Sequence, residues 1–447
     1  MERENRIIEK PAITVCWFRR DLRVDDNHAL YNALISGYPV LPVFIFDTDI
    51  LSQLEEKTDR RVNFIFQTLE AINRELKHNY QSGIQFYYGS PEKVFPEIIR
   101  NYDVKSVFCN EDYEPYAIRR DENVKAMLSK HAVSFQSNKD QVIFHKDEIM
   151  KKDGTPYTVY TPYSNVWLSL FREKGTVHYS SEQHLDNLLQ FTPKNFSIER
   201  IGFIETESAI SQPDIDEEVI RNYEKTRNFP YLTHGVSGMS VHLRFGTVSI
   251  RKLAVQTARL SEVYLKELIW REFFMQILYH FPHVANHSFK AKYDNISWEL
   301  NEEHFGRWCE GKTGYPIVDA GMRELNSTGI MHNRVRMITA SFLTKHLLID
   351  WRWGEAYFAN KLLDFDLAAN NGNWQWVAGC GCDAAPYFRI FNPAEQQRKF
   401  DPEMNYVKKW VSEFGTKNYP DPIVEHTFAR NRVLERFKKA LEIKQNY

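Results

Sequence analysis

Glu267 and Trp270, in KELIWREFF, stand three residues apart; Asn333, Arg336 and Met337, in MHNRVRM, lie within one helical turn of each other. On a helix each set shares a face. A carboxylate, a fork-shaped guanidinium, an amide and an indole turned into one cavity would suit a planar ligand with hydrogen-bonding edges and a surface to stack on. The spacing equally fits Trp270 in a core with Glu267 and Arg336 as solvated charges. The segment LLDFDLAANNGNWQWVAGCGCDAAPYFRIFNPAEQQRKFDP says more: Asp364, Asp366 and Asn370 precede what reads as an Asn-Asn-Gly-Asn turn, followed by Trp374 and Trp376. That run is too rich in glycine and polar residues for a packing helix. Polar groups that must be buried need partners, and a bound cofactor can supply them. Arg389, Arg398, Lys399, Lys408 and Lys409, with Phe388, Phe391 and Tyr406 interleaved, could make a phosphate-tracking rim beside it, although such charges also form ordinary solvated faces.

These residues need elements to hold them. From residue 13 to about 144 the runs ITVCWF, VLPVFIF, IQFYYG, VKSVFC and VSFQS alternate with helical stretches such as DRRVNFIFQTLEAINREL and PYAIRRDENVKAMLSK. Strand and helix in alternation predict a doubly wound, Rossmann-like parallel sheet, an α/β domain over 12–144. No G-x-G-x-x-G or P-loop pattern follows a strand, which disfavours a standard dinucleotide site there. Residues 145–215, with stretches such as KKDGTPYTVYTPYS, read as a long surface connector without sustained periodicity. From 216 to 447, segments such as EVYLKELIWREFFMQILYHF and MHNRVRMITASFLTKHLLIDW carry apolar residues at helical spacing, so an all-α domain is predicted.

The bulk properties set limits. A chain of 447 residues accommodates two cores, and 43% apolar with 26% charged residues is a globular composition. A net charge of -2 gives no global pull toward nucleic acid, so any DNA contact must come from a local basic surface. Five cysteines scattered through the chain suit a reducing compartment, and Cys380 and Cys382 lack a second ligand pair at zinc spacing, so no metal is expected. No apolar run approaches the roughly 20 residues of a membrane span, and the start lacks a signal-peptide core. A cytoplasmic location is expected.

Together WFRRDLRVDDNHAL, EGKTGYPIVDAGMRELNSTGIMHNRVRMITASFLTKHLLIDWR, NNGNWQW and the late PIVEH identify the chain as resembling the DNA photolyase and cryptochrome family, most closely its bacterial cyclobutane dimer photolyases. The resemblance implies an α/β antenna domain joined to a helical FAD-binding domain, acting as a monomer on ultraviolet-damaged DNA. By position it makes Tyr223, Ser237, Gly238, Met239 and Ser240 FAD contacts, most of them in the phosphate-side loop GVSGMS. It sets Asp364 and Asp366 against flavin and ribityl groups, Arg336 against Asp364, and Asn370 at the flavin N5 edge. Glu267, Trp270, Asn333, Met337 and Trp376 would line the dimer pocket, with Arg227 and Gln396 on the DNA-facing rim. Trp374, Trp351 and Trp298 match an indole chain that carries electrons to the flavin.

The activity this resemblance implies is light-driven repair, in which photoexcited reduced FAD lends an electron to split the dimer. Two departures stand out. The phosphate loop has Val236, Gly238, Met239, Val241 and His242 where a hydroxyl and a cation are usual. A second antenna chromophore, folate or a deazaflavin, is left open: folate-binding relatives pair an acid matching Glu114 with a Cys-Lys pair, replaced here by Val284 and Ala285. Two other readings use the same flavin site. A cryptochrome photoreceptor is disfavoured by Asn370, where plant-type relatives carry Asp and animal-type relatives Cys. A six-four photolyase needs a histidine pair, where this chain has Met331, His332 and Met337.

Overall fold

Three segments rich in β-branched and aromatic residues are buried along most of their length, as strands covered on both faces require, and two shorter, more exposed segments flank them. In the computed structural model, which describes residues 10–206 and 213–442, they form β1 (Ala12–Phe18), β2 (Val40–Phe46), β3 (Gln85–Tyr88), β4 (Asp103–Asn110) and β5 (Ser134–Asn138). All adjacent pairs are parallel and the order is β3-β2-β1-β4-β5. Helices Arg60–Tyr80, Pro91–Asn101 and Pro115–Ser129 make the crossovers that parallel strands demand. Every residue of β2 is buried.

The described chain packs as two compact units. One takes in the chain through His145 with Thr176–Asp214 and His242–Leu253; the other takes in Lys146–Gly175, Ile215–Val241 and the chain from Ala254 onward. In the first unit, Arg251 and Arg23 both bind Asp140 at 2.8 Å, and Arg251 also binds Asp26 at 3.0 Å. That network fixes His242–Leu253 to the loop after β1 although some 220 residues separate them. The second unit is helical, and its core includes Trp308, Phe342, Trp351, Trp374 and Phe437.

Two sequence expectations are corrected here. The connector is not uniformly irregular: Tyr160–Lys174 is a helix that buries Tyr160, Tyr163, Ser164, Trp167 and Leu168, one stripe at helical spacing. Pro162 lies in its first turn, where a missing N–H costs nothing. The second correction concerns Leu367–Ala378, which is a helix and not a turn. Asp366 caps its start by accepting from Ala369 N–H at 3.1 Å, and Gly379 ends it at φ +91°. Its Gly372 lies against the Phe274 ring, 2.2 Å from where a Cβ would sit, so only glycine allows that approach.

The last described helix, His426–Glu442, is tied to the core by a ring-to-ring hydrogen bond between His346 Nε2 and His426 Nδ1 at 2.8 Å. Burial, with His426 and Arg432 nearby, pushes the His346 imidazole down to about 3. An unfolded histidine titrates near 6.5, so the unfolded chain takes up a proton the folded one refuses as pH falls below that value. Stability from this group is full above about pH 6.5 and is lost toward pH 3, by about 1.4 kcal/mol per unit. His346→Gln should therefore be less stable than the parent at pH 7.5, with the gap narrowing by pH 4.5. Urea titrations at both pH values read this out, and a pH-independent gap contradicts it.

Candidate functional site

The Asn333–Ser341 helix turns Asn333, Arg336 and Met337 into a cleft whose other walls are Asp364, Asp366, Asn370 and Trp374. The cleft, its open mouth included, spans about 550 Å³. Arg336 donates through Nη2 to both Asp364 oxygens, at 2.8 and 3.1 Å, and through Nε to the Met331 carbonyl at 2.7 Å. The Asp364 side chain is only 5% exposed, so this guanidinium is what compensates its charge.

Asn370 directs its amide hydrogens at Glu355, to Oε1 at 2.9 Å and to the backbone carbonyl at 3.1 Å. What it offers the cleft is therefore an acceptor oxygen. Glu355 was missed from sequence, where a lone acid in WGEAYFANK reads as a surface charge. Burial pushes its carboxyl above the usual range, partly opposed by the Asn370 hydrogen bond.

A second group gathers on the Glu262–His280 helix, capped by Ser261. Glu267 pairs with Arg227 at 2.6 Å, the Arg227 guanidinium lies 5.1 Å from the centre of the Tyr223 ring, and Tyr223 meets Tyr264 edge-on at 5.0 Å. The Tyr264 hydroxyl is 2.9 Å from Ser237 Oγ. Tyr264, three before Glu267 on the same helix, went unnoticed as a link between Glu267 and the GVSGMS loop. In that loop Gly238 has φ +69°, Met239 is buried, and exposed Ser240 opens a short helix. Trp270 is half-buried and stacks on Tyr160. Phe274 joins the two groups, tilted against Trp270 at 5.4 Å and packed on Gly372.

The remaining expected residues are spread more widely. Trp374 and Trp351 are buried and Trp298 packs against the same core, its ring 5.8 Å from Phe437. Trp308, which sequence reasoning passed over, meets Trp374 edge-on at 6.2 Å. Trp376 is half-buried with Arg389 at 5.9 Å, and the Gln396 side-chain oxygen is buried without a partner. Arg334, the neighbour of Asn333 on another helix face, was also missed: burial and the nearby Arg227 and Arg389 pull its guanidinium below the usual range. The expected rim loses one member. Tyr406 is buried, its hydroxyl donating to Glu324 at 2.5 Å, so it anchors the core and does not stack on a ligand.

The chain shares 35% identity with a Vibrio cholerae deoxyribodipyrimidine photo-lyase, over 95% of this chain and 99% of that one. The chain belongs to the DNA photolyase family. Family models described as "DNA photolyase" and "FAD binding domain of DNA photolyase" match residues 14–181 and 264–417. A class III photolyase structure from Agrobacterium tumefaciens superposes with a TM-score of 0.85 at 32% identity, covering 99% of this chain and all of that one. An archaeal photolyase from Sulfolobus tokodaii, solved with two FAD molecules, gives 0.81 at 34% identity over 95% of this chain and 99% of that one.

The photolyase FAD-binding match contains both groups except Tyr160, Tyr223, Arg227 and the GVSGMS loop. The donor set in the cleft fits a flavin. A ring system with hydrogen-bonding edges would meet the fixed Arg336 fork, the Asn370 oxygen and the Asn333 amide, with Met337, Phe365 and Trp374 as walls. Among the described residues no helix is long and apolar enough to cross a membrane.

Proposed function

We propose that this protein is a deoxyribodipyrimidine photo-lyase that binds FAD in the cleft and splits cyclobutane pyrimidine dimers in ultraviolet-damaged DNA under light. The observation that carries the reading is the cleft itself: Arg336 locked to Asp364 beside an Asn370 whose amide hydrogens are taken by Glu355. Bound FAD, reduced and photoexcited, supplies the electron that opens the cyclobutane ring and takes it back. The rest is work for the protein's own side chains.

A dimer inside a duplex must be flipped out, at a cost lowered by its poor stacking. Trp270 and Trp376 are the surfaces for the flipped pyrimidines, and Asn333 and Met337 line the cleft beside them. Glu267 is the polar partner of the dimer, and Arg227 compensates its charge, so a carbonyl-rich lesion meets a neutralised pair rather than a bare anion. Arg227, Gln396 and Arg334 supply the local basic and polar rim that the near-neutral net charge makes necessary. Tyr223, Ser237, Gly238, Met239 and Ser240 hold the phosphate side of the cofactor, and Asp366 its ribityl chain. Trp374, Trp351 and Trp298 conduct electrons inward.

The test is repair of a dimer-containing oligonucleotide by purified holoprotein in light and in darkness; equal conversion in both, or none in light, rejects the proposal. A split within the same assay tests the indole chain. Trp298→Phe should lose light-driven flavin reduction by external donors at least roughly tenfold, because phenylalanine is much harder to oxidise than tryptophan. Chemically reduced Trp298→Phe should repair normally. Photoreduction at the parental rate means electrons enter elsewhere.

A further inference from the structure

We propose that Tyr160 is a positioning residue for the lesion site, its ring clamped on one face of Trp270 so that the indole is held in a fixed plane with a single face left for a pyrimidine dimer. The inference rests on Trp270 being the stacking surface for the lesion. The two rings are parallel within 5°, with centroids 3.6 Å apart. Phe273 stands edge-on to both, at 5.8 Å from Tyr160 and 5.7 Å from Trp270, and Phe274 tilts against Trp270 at 5.4 Å. The indole is thus boxed on one face and two flanks.

Tyr160 is itself held hard. Its backbone N–H, at the first position of the Tyr160–Lys174 helix and so without an intrahelical acceptor, donates to Asp383 Oδ2 at 3.0 Å. Its hydroxyl donates to the Lys266 carbonyl at 2.9 Å. In the i to i−4 ladder of a helix, Lys266 is also the acceptor for the Trp270 N–H. Tyr160 therefore grips Trp270 through its ring and through the carbonyl that anchors its backbone, one residue before Glu267. Farther along the same helix, Trp167 Nε1 and Tyr163 Oη donate to Glu272 at 2.8 and 3.4 Å, pinning the helix beyond Trp270 as well.

A half-buried tryptophan without this clamp samples other rotamers, and each is a plane on which a flipped dimer cannot stack. Full-length holoprotein variants test this by titration with dimer-containing and undamaged oligonucleotides of one sequence. Tyr160→Leu, and Tyr160→Met as a second variant without a ring, should bind dimer DNA about three- to tenfold more weakly, the range of one aromatic pair. Undamaged-DNA affinity and flavin content should stay at parental values, which a merely structural role would not preserve. Tyr160→Phe, which keeps the ring, should bind dimer DNA within about twofold of the parent. In a Trp270→Ala background, adding Tyr160→Leu should cost nothing further, because the residue acts through the indole.

An additive loss in that background, equal weakening on undamaged DNA, or failure of Tyr160→Phe to restore binding overturns the proposal. If Trp270→Ala leaves dimer affinity unchanged, the stacking role of Trp270 fails first and the positioning role falls with it. If Trp270→Ala weakens binding and the Tyr160 variants do not, the inference about Tyr160 alone is wrong.

Discussion

Arg336→Ala is expected to purify largely free of flavin, with an affinity for FAD lower by about a hundredfold or more. The residue does two things at once: its Nη2 compensates an Asp364 side chain that is 5% exposed, and its Nε holds the Met331 carbonyl at the start of the Asn333 helix. Removing one partner of a buried ion pair costs about 3–5 kcal/mol because the other charge is left uncompensated. A loss of about 3 kcal/mol in flavin binding, expected where the uncompensated Asp364 carboxylate faces the bound cofactor, corresponds to about two powers of ten in affinity. Arg336→Lys should recover only part of it, since an ammonium cannot serve a carboxylate and a carbonyl in the geometry of a fork. Flavin-to-protein absorbance after gel filtration measures the effect, and circular dichroism checks the fold. Parental flavin content in Arg336→Ala, with only the melting temperature lowered, would make the pair a structural tie and remove it from the cofactor site.

The parts of this molecule that were legible in the sequence are those where one physical requirement dominates. Central strands buried on both faces must be β-branched and aromatic along their length, so β1, β2 and β4 could be read almost to the residue, while the more exposed edge strands β3 and β5 were legible from their place in the strand–helix alternation. The MHNRVRM helix was equally plain, because Asn333, Arg336 and Met337 share a face whatever they touch. Where a tertiary contact overrides a local preference, the reading failed. Asn370, Asn371, Gly372 and Asn373 together look like a turn, yet Gly372 is there because the Phe274 ring leaves no room for a side chain, and capping by Asp366 and Gly379 makes the segment helical. The stripe Tyr160, Tyr163, Trp167 was present in the connector, but Pro162 and the surrounding Thr and Ser residues hid its period. Glu355 carries no sequence signal at all. Only its approach to Asn370 across two helices distinguishes it from a solvated acid.

That approach decides what Asn370→Asp should do. In the parent protein the Asn370 amide donates to Glu355 Oε1 at 2.9 Å, and burial already holds the Glu355 carboxyl above its usual range. The substitution replaces the donor with a second carboxyl in hydrogen-bond contact, and two carboxylates sharing a partly buried site cannot both ionise, so the pair retains a proton at neutral pH. Under the proposed placement of FAD, that proton then lies at the edge of the cleft that would face the reduced flavin. Illuminated Asn370→Asp should stop short of full reduction, seen as persistent long-wavelength visible absorption, and repair should fall well below the parental yield. Adding Glu355→Gln restores an amide donor and takes away the shared proton, so the new carboxylate ionises. The double variant should lose the long-wavelength absorption while repair stays low, because a negative charge now opposes the reduced flavin. Asn370→Ala, with neither proton nor charge, should reduce more slowly than the parent without accumulating that absorption. If Asn370→Asp reduces fully and repairs at the parental yield, Asn370 does not face the reactive edge of the flavin, and the residue that separates a repair enzyme from a photoreceptor in this chain must be sought elsewhere.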